Sequence, residues 1–213
     1  MESASLISIR RYRKLESFAA AYYGLGGIIA ILAGLLAGSM VFLGFGVYNL
    51  IEIVPGMLLL WHLRESVAGK EGRDISRGDG SVRLLNIAVG LVLIGFVLYL
   101  SLDALLSISR HVSPRPSVPG ILLALLSLTA MPILGREKII ALDGFCRQAI
   151  SAEVQRIACG IYLSATLLSG LLLIALLKLW WADSVAALVM SLLIGGRGAG
   201  LLLHKVCSET PLK

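Results

Sequence analysis

The sequence predicts an all-α polytopic membrane protein with six transmembrane helices, and three observations carry that prediction. The chain is 57% hydrophobic and only 15% charged, against about 45–50% and about 25% in soluble domains. Its mean hydropathy is +0.88 over 213 residues, and at roughly 20 residues per crossing this apolar content fills five or six spans. Turns and polar segments, finally, cut the apolar sequence into six long stretches. A soluble catalytic domain and intrinsic disorder are thereby excluded. So is a disulfide scaffold, since Cys146, Cys159 and Cys207 form no paired framework.

The first stretch, 17–38, has an apolar core too long for a cleaved signal peptide, and five further spans follow it, so it reads as a true helix. Gly38-Ser39 turns the chain into the second stretch, 40–63, which carries Pro55. Residues 64–83 mix five basic and four acidic side chains with four glycines and read as a solvated connection. The third stretch is 84–108. Pro114, Pro116 and Pro119 lead to the fourth, 117–134, which only just reaches across a layer of about 30 Å. From 135 to 156 apolar residues recur at helical spacing among charges, which predicts a surface helix leading into the fifth stretch, 157–179. Trp180-Trp181-Ala182-Asp183 then joins it to the sixth, 184–206, and the tryptophans fit an interfacial aromatic belt. The organisation expected is an N-terminal tail (1–16), a six-helix domain (17–206) and a short C-terminal tail (207–213).

Charge gives the expected orientation. Fifteen Lys and Arg fall in the two tails and the two long loops, against Arg110, Arg115 and Lys178 on the opposite side. That bias predicts cytosolic termini and a multi-pass protein of the cytoplasmic (inner) membrane. It also explains the net charge of +6 without nucleic acid as a partner. Small residues four apart, Ala30, Gly34 and Gly38 on the first span and Gly196 and Gly200 on the sixth, predict close helix packing within the chain or a dimer seam.

Ionisable groups inside spans are costly and therefore informative. Glu52 lies near the middle of the second span, about 16 Å from its end by helical rise, with Tyr48 and Asn49 on the same helix face. Asp103 stands near the outer end of the third span. Asp183 opens the sixth, where it is expected to cap the helix start. Arg197 can snorkel to the cytosolic face or pair with a buried acid, and snorkelling is the favoured expectation. At the start of the fifth span Gln155 and Cys159 are four apart, flanked by Glu153 and Arg156. There is no nucleophilic triad, phosphate loop or two-histidine helix motif, so no enzymatic activity and no cofactor are expected.

The paired residues at spacing four on the second and fifth helices, the stretch from Ala37 to Glu52 (AGSMVFLGFGVYNLIE) and the stretch from Trp180 to Leu188 (WWADSVAAL) resemble a small bacterial branch of the cation diffusion facilitator, or cation efflux, family. The likeness covers most of the chain from about Ala19 to Arg197. It implies six membrane helices, a homodimer, and efflux of a divalent metal ion in exchange for protons. By position, the metal ligands it implies are Tyr48, Glu52, Gln155 and Cys159, with Asn49, Glu153, Asp183 and Asp103 as secondary polar groups. Tyr48 departs from the family pattern, which has an acid there. The branch it resembles is expected to lack the C-terminal cytosolic domain of larger members. A carboxylate, an amide and a thiolate suit zinc or a neighbouring transition metal better than magnesium or calcium. The alternative expectation is a membrane scaffold or partner protein that keeps the fold and has lost transport.

Overall fold

A computed structural model describes residues 2–67, 75–111, 118–142 and 147–203. Six helices follow one another: α1 (Glu2–Ala37), α2 (Met40–Val67), α3 (Ile75–Ser109), α4 (Val118–Ala141), α5 (Arg147–Leu177) and α6 (Ala182–Leu203). There is no strand among the described residues. Each helix contains a segment of 21 to 28 residues that is long and apolar enough to cross a membrane, which is the architecture of a multi-pass membrane protein. An even number of crossings returns the chain to its starting side. That side, the terminal end, carries the start of α1 and the end of α6.

The helices outrun the apolar stretches. Residues 135–156 do not form a separate surface helix: α4 continues through Ala141 and α5 begins at Arg147. The charges in that region therefore lie on extensions of spanning helices, where periodicity brings some of them inward. The connection expected at 64–83 is likewise narrowed, since α2 runs to Val67 and α3 starts at Ile75, with 68–74 outside the described residues.

α1 packs chiefly on α2, and α3 on α6. Glycine sets both approaches. A Cβ on Gly46 would meet the Gly27 carbonyl at 2.7 Å, and one on Gly90 would meet the Gly198 carbonyl at 3.0 Å. Of the small residues singled out in the sequence, Ala30 is in the core and Gly34 packs on Phe42 and Leu43. Among the described residues nothing lies within 4 Å of a Cβ built on Gly196 or Gly200, so the helix contact on α6 runs through Gly198 instead. Gly38 ends α1 with φ +66°, and Ser39 N–H returns to the Gly34 carbonyl at 3.0 Å. This is the left-handed cap that glycine alone supplies without a Cβ penalty.

The hydrogen bonds of Asp183 among the described residues run to the start of α2 and not to the start of its own helix. Its carboxylate accepts from the Ser39 hydroxyl and, at 2.7 Å, from Met40 N–H. A side chain of α6 thus satisfies the free N-terminal amides of α2 and ties the two helices at the end opposite the termini. From that end toward the middle of the bundle, Phe42, Phe45, Leu100, Leu163, Leu167 and Met190 form a continuous apolar core.

Candidate functional site: a buried ion-pair network

Six ionisable side chains from five helices meet in the terminal half of the bundle: Glu16 (α1), Glu52 (α2), Lys138 (α4), Glu153 and Arg156 (α5), and Arg197 (α6). The local reason is helical register. Tyr12, Glu16, Ala19 and Tyr23 lie on the buried face of α1, and Glu153, Arg156, Gly160, Leu163 and Leu167 form the buried stripe of α5, each at three- and four-residue intervals.

Arg156 is the hub. Its Nη2 donates to Glu16 Oε1 at 3.0 Å, its Nη1 stands 3.5 Å from Glu153 Oε2, and its Nε stands 3.6 Å from Glu52 Oε2. Lys138 Nζ closes the other side, 2.6 Å from Glu16 Oε2 and 3.3 Å from Glu153 Oε1. Deeper in the bundle, Arg197 Nε donates to Glu52 Oε1 at 3.3 Å, and the Tyr48 hydroxyl donates to the same oxygen at 2.7 Å. The Tyr23 ring lies 5.9 Å from both Lys138 Nζ and the Arg156 guanidinium carbon, within cation–π range. Gly56 makes room for the cluster, because a Cβ there would collide with Glu16 Oε1 and Arg156 Nη1.

All six side chains are at most 8% exposed. Three carboxylates and three cations balance formally. In a water-poor interior an unpaired charge is far more costly than a paired one. The gap beside the cluster, lined by Tyr23, Met131, Leu134, Gly135, Lys138 and Ile157, leaves no room for a water molecule.

The residues expected from the sequence divide clearly. Glu52 is buried at the deep end of the network, Tyr48 is bonded to it, and Cys159 packs against the core cluster that includes Tyr48. Gln155 is exposed, since the buried stripe of α5 passes through Arg156 instead. Arg197 pairs with Glu52 and does not snorkel. Glu153 belongs to the network, and Asp183 stays at the opposite end with Ser39. Asn49 Oδ1 and Asp103 Oδ2 are buried with no hydrogen-bond partner among the described residues. No group of three or more His, Cys, Asp or Glu side chains placed to hold a metal ion occurs among the described residues.

Sequence reasoning missed Glu16 and Lys138, which stand at span edges and read as solvated charges. Their signal was phase: Glu16 follows Tyr12 by four, and Lys138 follows Met131 by seven, each on a buried face. Compared with known proteins, the chain matches no family model and no curated sequence.

Proposed function

We propose that this chain is a multi-pass membrane protein with a cation-efflux-like helical domain whose central ion position is filled by its own guanidinium groups, and that it acts as a helical scaffold or partner in the membrane. The observation that carries this reading is that Glu52, the deepest carboxylate, is paired with both Arg156 and Arg197. A divalent cation at that carboxylate would stand beside two fixed positive charges in a medium of low dielectric, an arrangement that repulsion disfavours. The two guanidiniums supply what a bound ion would supply, neutralisation of Glu52, and an arginine does not release its proton at any physiological pH.

A second reading, divalent cation efflux by proton antiport with zinc as the best-suited ion, is favoured by one specific feature: Tyr48, Glu52 and Cys159 converge on one spot. Transport would require Arg156 and Arg197 to swing away while the ion takes their place, with protons leaving the ligands as the metal binds. By the distribution of basic residues both readings place the termini in the cytosol and the protein in the cytoplasmic membrane. Both are compatible with a homodimer.

Zinc flux into proteoliposomes separates them, with a reconstituted zinc carrier as the positive control. The scaffold reading expects no flux above protein-free vesicles for the parent. Flux from the parent that Glu52→Gln and Cys159→Ala both abolish would replace it with the transport reading.

A further inference from the structure

α3 and α6 lie against each other in an antiparallel register that their contacts fix directly. Ser101 Oγ donates to Ser191 Oγ at 3.0 Å. A Cβ on Gly195 would stand 3.6 Å from Val97, one on Gly198 3.3 Å from Ile94, and one on Gly90 2.9 Å from Leu202. In that register Gly95 and Gly196 come to one level, beside Arg197. Both are exposed, and among the described residues nothing lies within 4 Å of a Cβ built on either. Packing therefore asks for glycine at Gly90 and Gly198 but not at these two positions, although glycine costs a helix interior about 1 kcal/mol against alanine. What they supply is freedom to bend, in both helices at the same height.

Polar contacts tie this pair of helices to α2 at two heights. At the end opposite the termini, Asp183 holds Ser39 and Met40, with Leu100 and Met190 in the apolar core nearby. In the terminal half Val89 and Leu93 still reach the core, and the polar contact across to α2 is Arg197 with Glu52 at 3.3 Å. Glu52 does not depend on Arg197 alone, because the Tyr48 hydroxyl stays on Oε1 at 2.7 Å and Arg156 beside Oε2 at 3.6 Å. Arg197 in turn has somewhere to go. It is 15 residues past the start of α6 at Ala182, about 22 Å by helical rise, so the headgroups on the terminal side of a layer of about 30 Å are within reach of an extended arginine. Arg156 has no such exit, being held by Glu16, Glu52 and Glu153 together.

We propose that Arg197 and Glu52 form a releasable latch, and that when it opens the terminal halves of α3 and α6 swing away from α2 together by bending at Gly95 and Gly196. The close approach of Gly90 and Gly198 keeps the two segments together as they move. Opening leaves the network with three carboxylates and two cations, so the closed form dominates and the open form is a minor population. What opening uncovers from the terminal side is Glu52, under either reading of function.

The test is amide hydrogen exchange of the full chain in nanodiscs, read by mass spectrometry, in which the exchange rate follows the open population. Segments 84–95 and 195–203 should exchange faster than 96–108 and 184–194. Gly95→Ala/Gly196→Ala adds two methyls that have room and should slow both fast segments, about fivefold for each glycine replaced, the factor that about 1 kcal/mol represents. Arg197→Gln should speed both about tenfold or more, the factor for a hydrogen bond to a charged group worth about 1.5 kcal/mol, and leave 10–18 of α1 unchanged. The response of 84–95 is what separates a latch from fraying at the end of α6, because Arg197 sits on the other helix. Rates that Arg197→Gln leaves unchanged, or raises in 195–203 alone, would overturn the latch, and so would a rise that extends to 10–18. Equal rates in the fast and slow segments of the parent would overturn it as well. Rates unchanged in Gly95→Ala/Gly196→Ala would overturn the hinge, and faster ones would assign the two glycines to a contact with another chain instead.

Discussion

The Glu52 carboxylate and the Arg197 guanidinium meet at 3.3 Å across 145 residues of sequence, and the contact joins the middle of α2 to the terminal half of α6. With Arg156 on the other oxygen at 3.6 Å, Glu52 becomes the point where α2, α5 and α6 are held in one register. Glu52→Gln keeps the volume, removes the charge and leaves two buried guanidiniums facing a neutral amide. Breaking a buried pair in this way costs about 3–5 kcal/mol. Thermal unfolding in detergent should show the variant strongly destabilised. A transition unchanged from the parent would mean that the arginines find other partners.

Gly56 gives a steric test of the same cluster. Its Cα faces the Glu16 carboxylate and the Arg156 guanidinium so closely that an added methyl has no space. Gly56→Ala is therefore expected to destabilise by about 1–3 kcal/mol, the usual cost of overpacking, even though alanine is the better helix former by about 1 kcal/mol. A stabilised Gly56→Ala in the same unfolding assay would show that the cluster yields to an added methyl.

At the opposite end, Asp183 and Ser39 couple α6 to α2 through the α2 N-terminus. Asp183→Ala should cost about 1–2 kcal/mol as a lost cap. Ser39→Ala in the Asp183→Ala background should add little, since the two side chains serve one function. A double-mutant cycle with a coupling energy near zero would contradict the shared cap.

How much of this was legible in the sequence follows from which physical signal each feature leaves. Six spans follow from length and hydropathy, which need no partner to be read. Glu52 was legible as a deep carboxylate because burial of a charge is costly everywhere in hydrocarbon. Its partners were legible only in part. Arg197 looked free to snorkel, since a long cationic side chain near a helix end has that choice until a facing acid removes it. Glu16 and Lys138 were hidden by their position at span edges, where hydropathy falls but helical phase continues. Gln155 failed for the converse reason. A spacing of four from Cys159 puts two residues on roughly one face, but only the packing of α5 decides which face is inward, and it chose Arg156.

Sidedness rests on charge distribution and can be checked directly. With Cys146, Cys159 and Cys207 replaced, single cysteines at the exposed positions Arg10 and Arg110 report opposite ends of the bundle. The positive-inside bias predicts that an impermeant maleimide labels Arg110→Cys in intact cells and Arg10→Cys only after lysis. Labelling of Arg10→Cys from outside would invert the protein and move the basic start of α1 to the other leaflet.

Tyr48 is where the two functional readings make opposite predictions. Its hydroxyl donates to Glu52 Oε1 at 2.7 Å, a hydrogen bond to a charged group, so Tyr48→Phe should destabilise by about 1.5–3 kcal/mol under either reading. Tyr48→Asp puts a second carboxylate one turn from Glu52, where like charges repel. It also empties much of the tyrosine's buried volume, so the variant should unfold at a lower temperature than Tyr48→Phe. The readings part when zinc is added. If the guanidiniums of Arg156 and Arg197 own the position, zinc leaves the melting temperature of Tyr48→Asp where it was, because an entering dication still meets two fixed positive charges. If those arginines can swing aside, the introduced carboxylate joins Glu52 and Cys159 in a three-ligand zinc site, and binding raises the melting temperature in proportion to the logarithm of zinc concentration once the site is saturated. A zinc-dependent rise in Tyr48→Asp that disappears in Tyr48→Asp/Cys159→Ala would therefore count for the cation reading and against the scaffold.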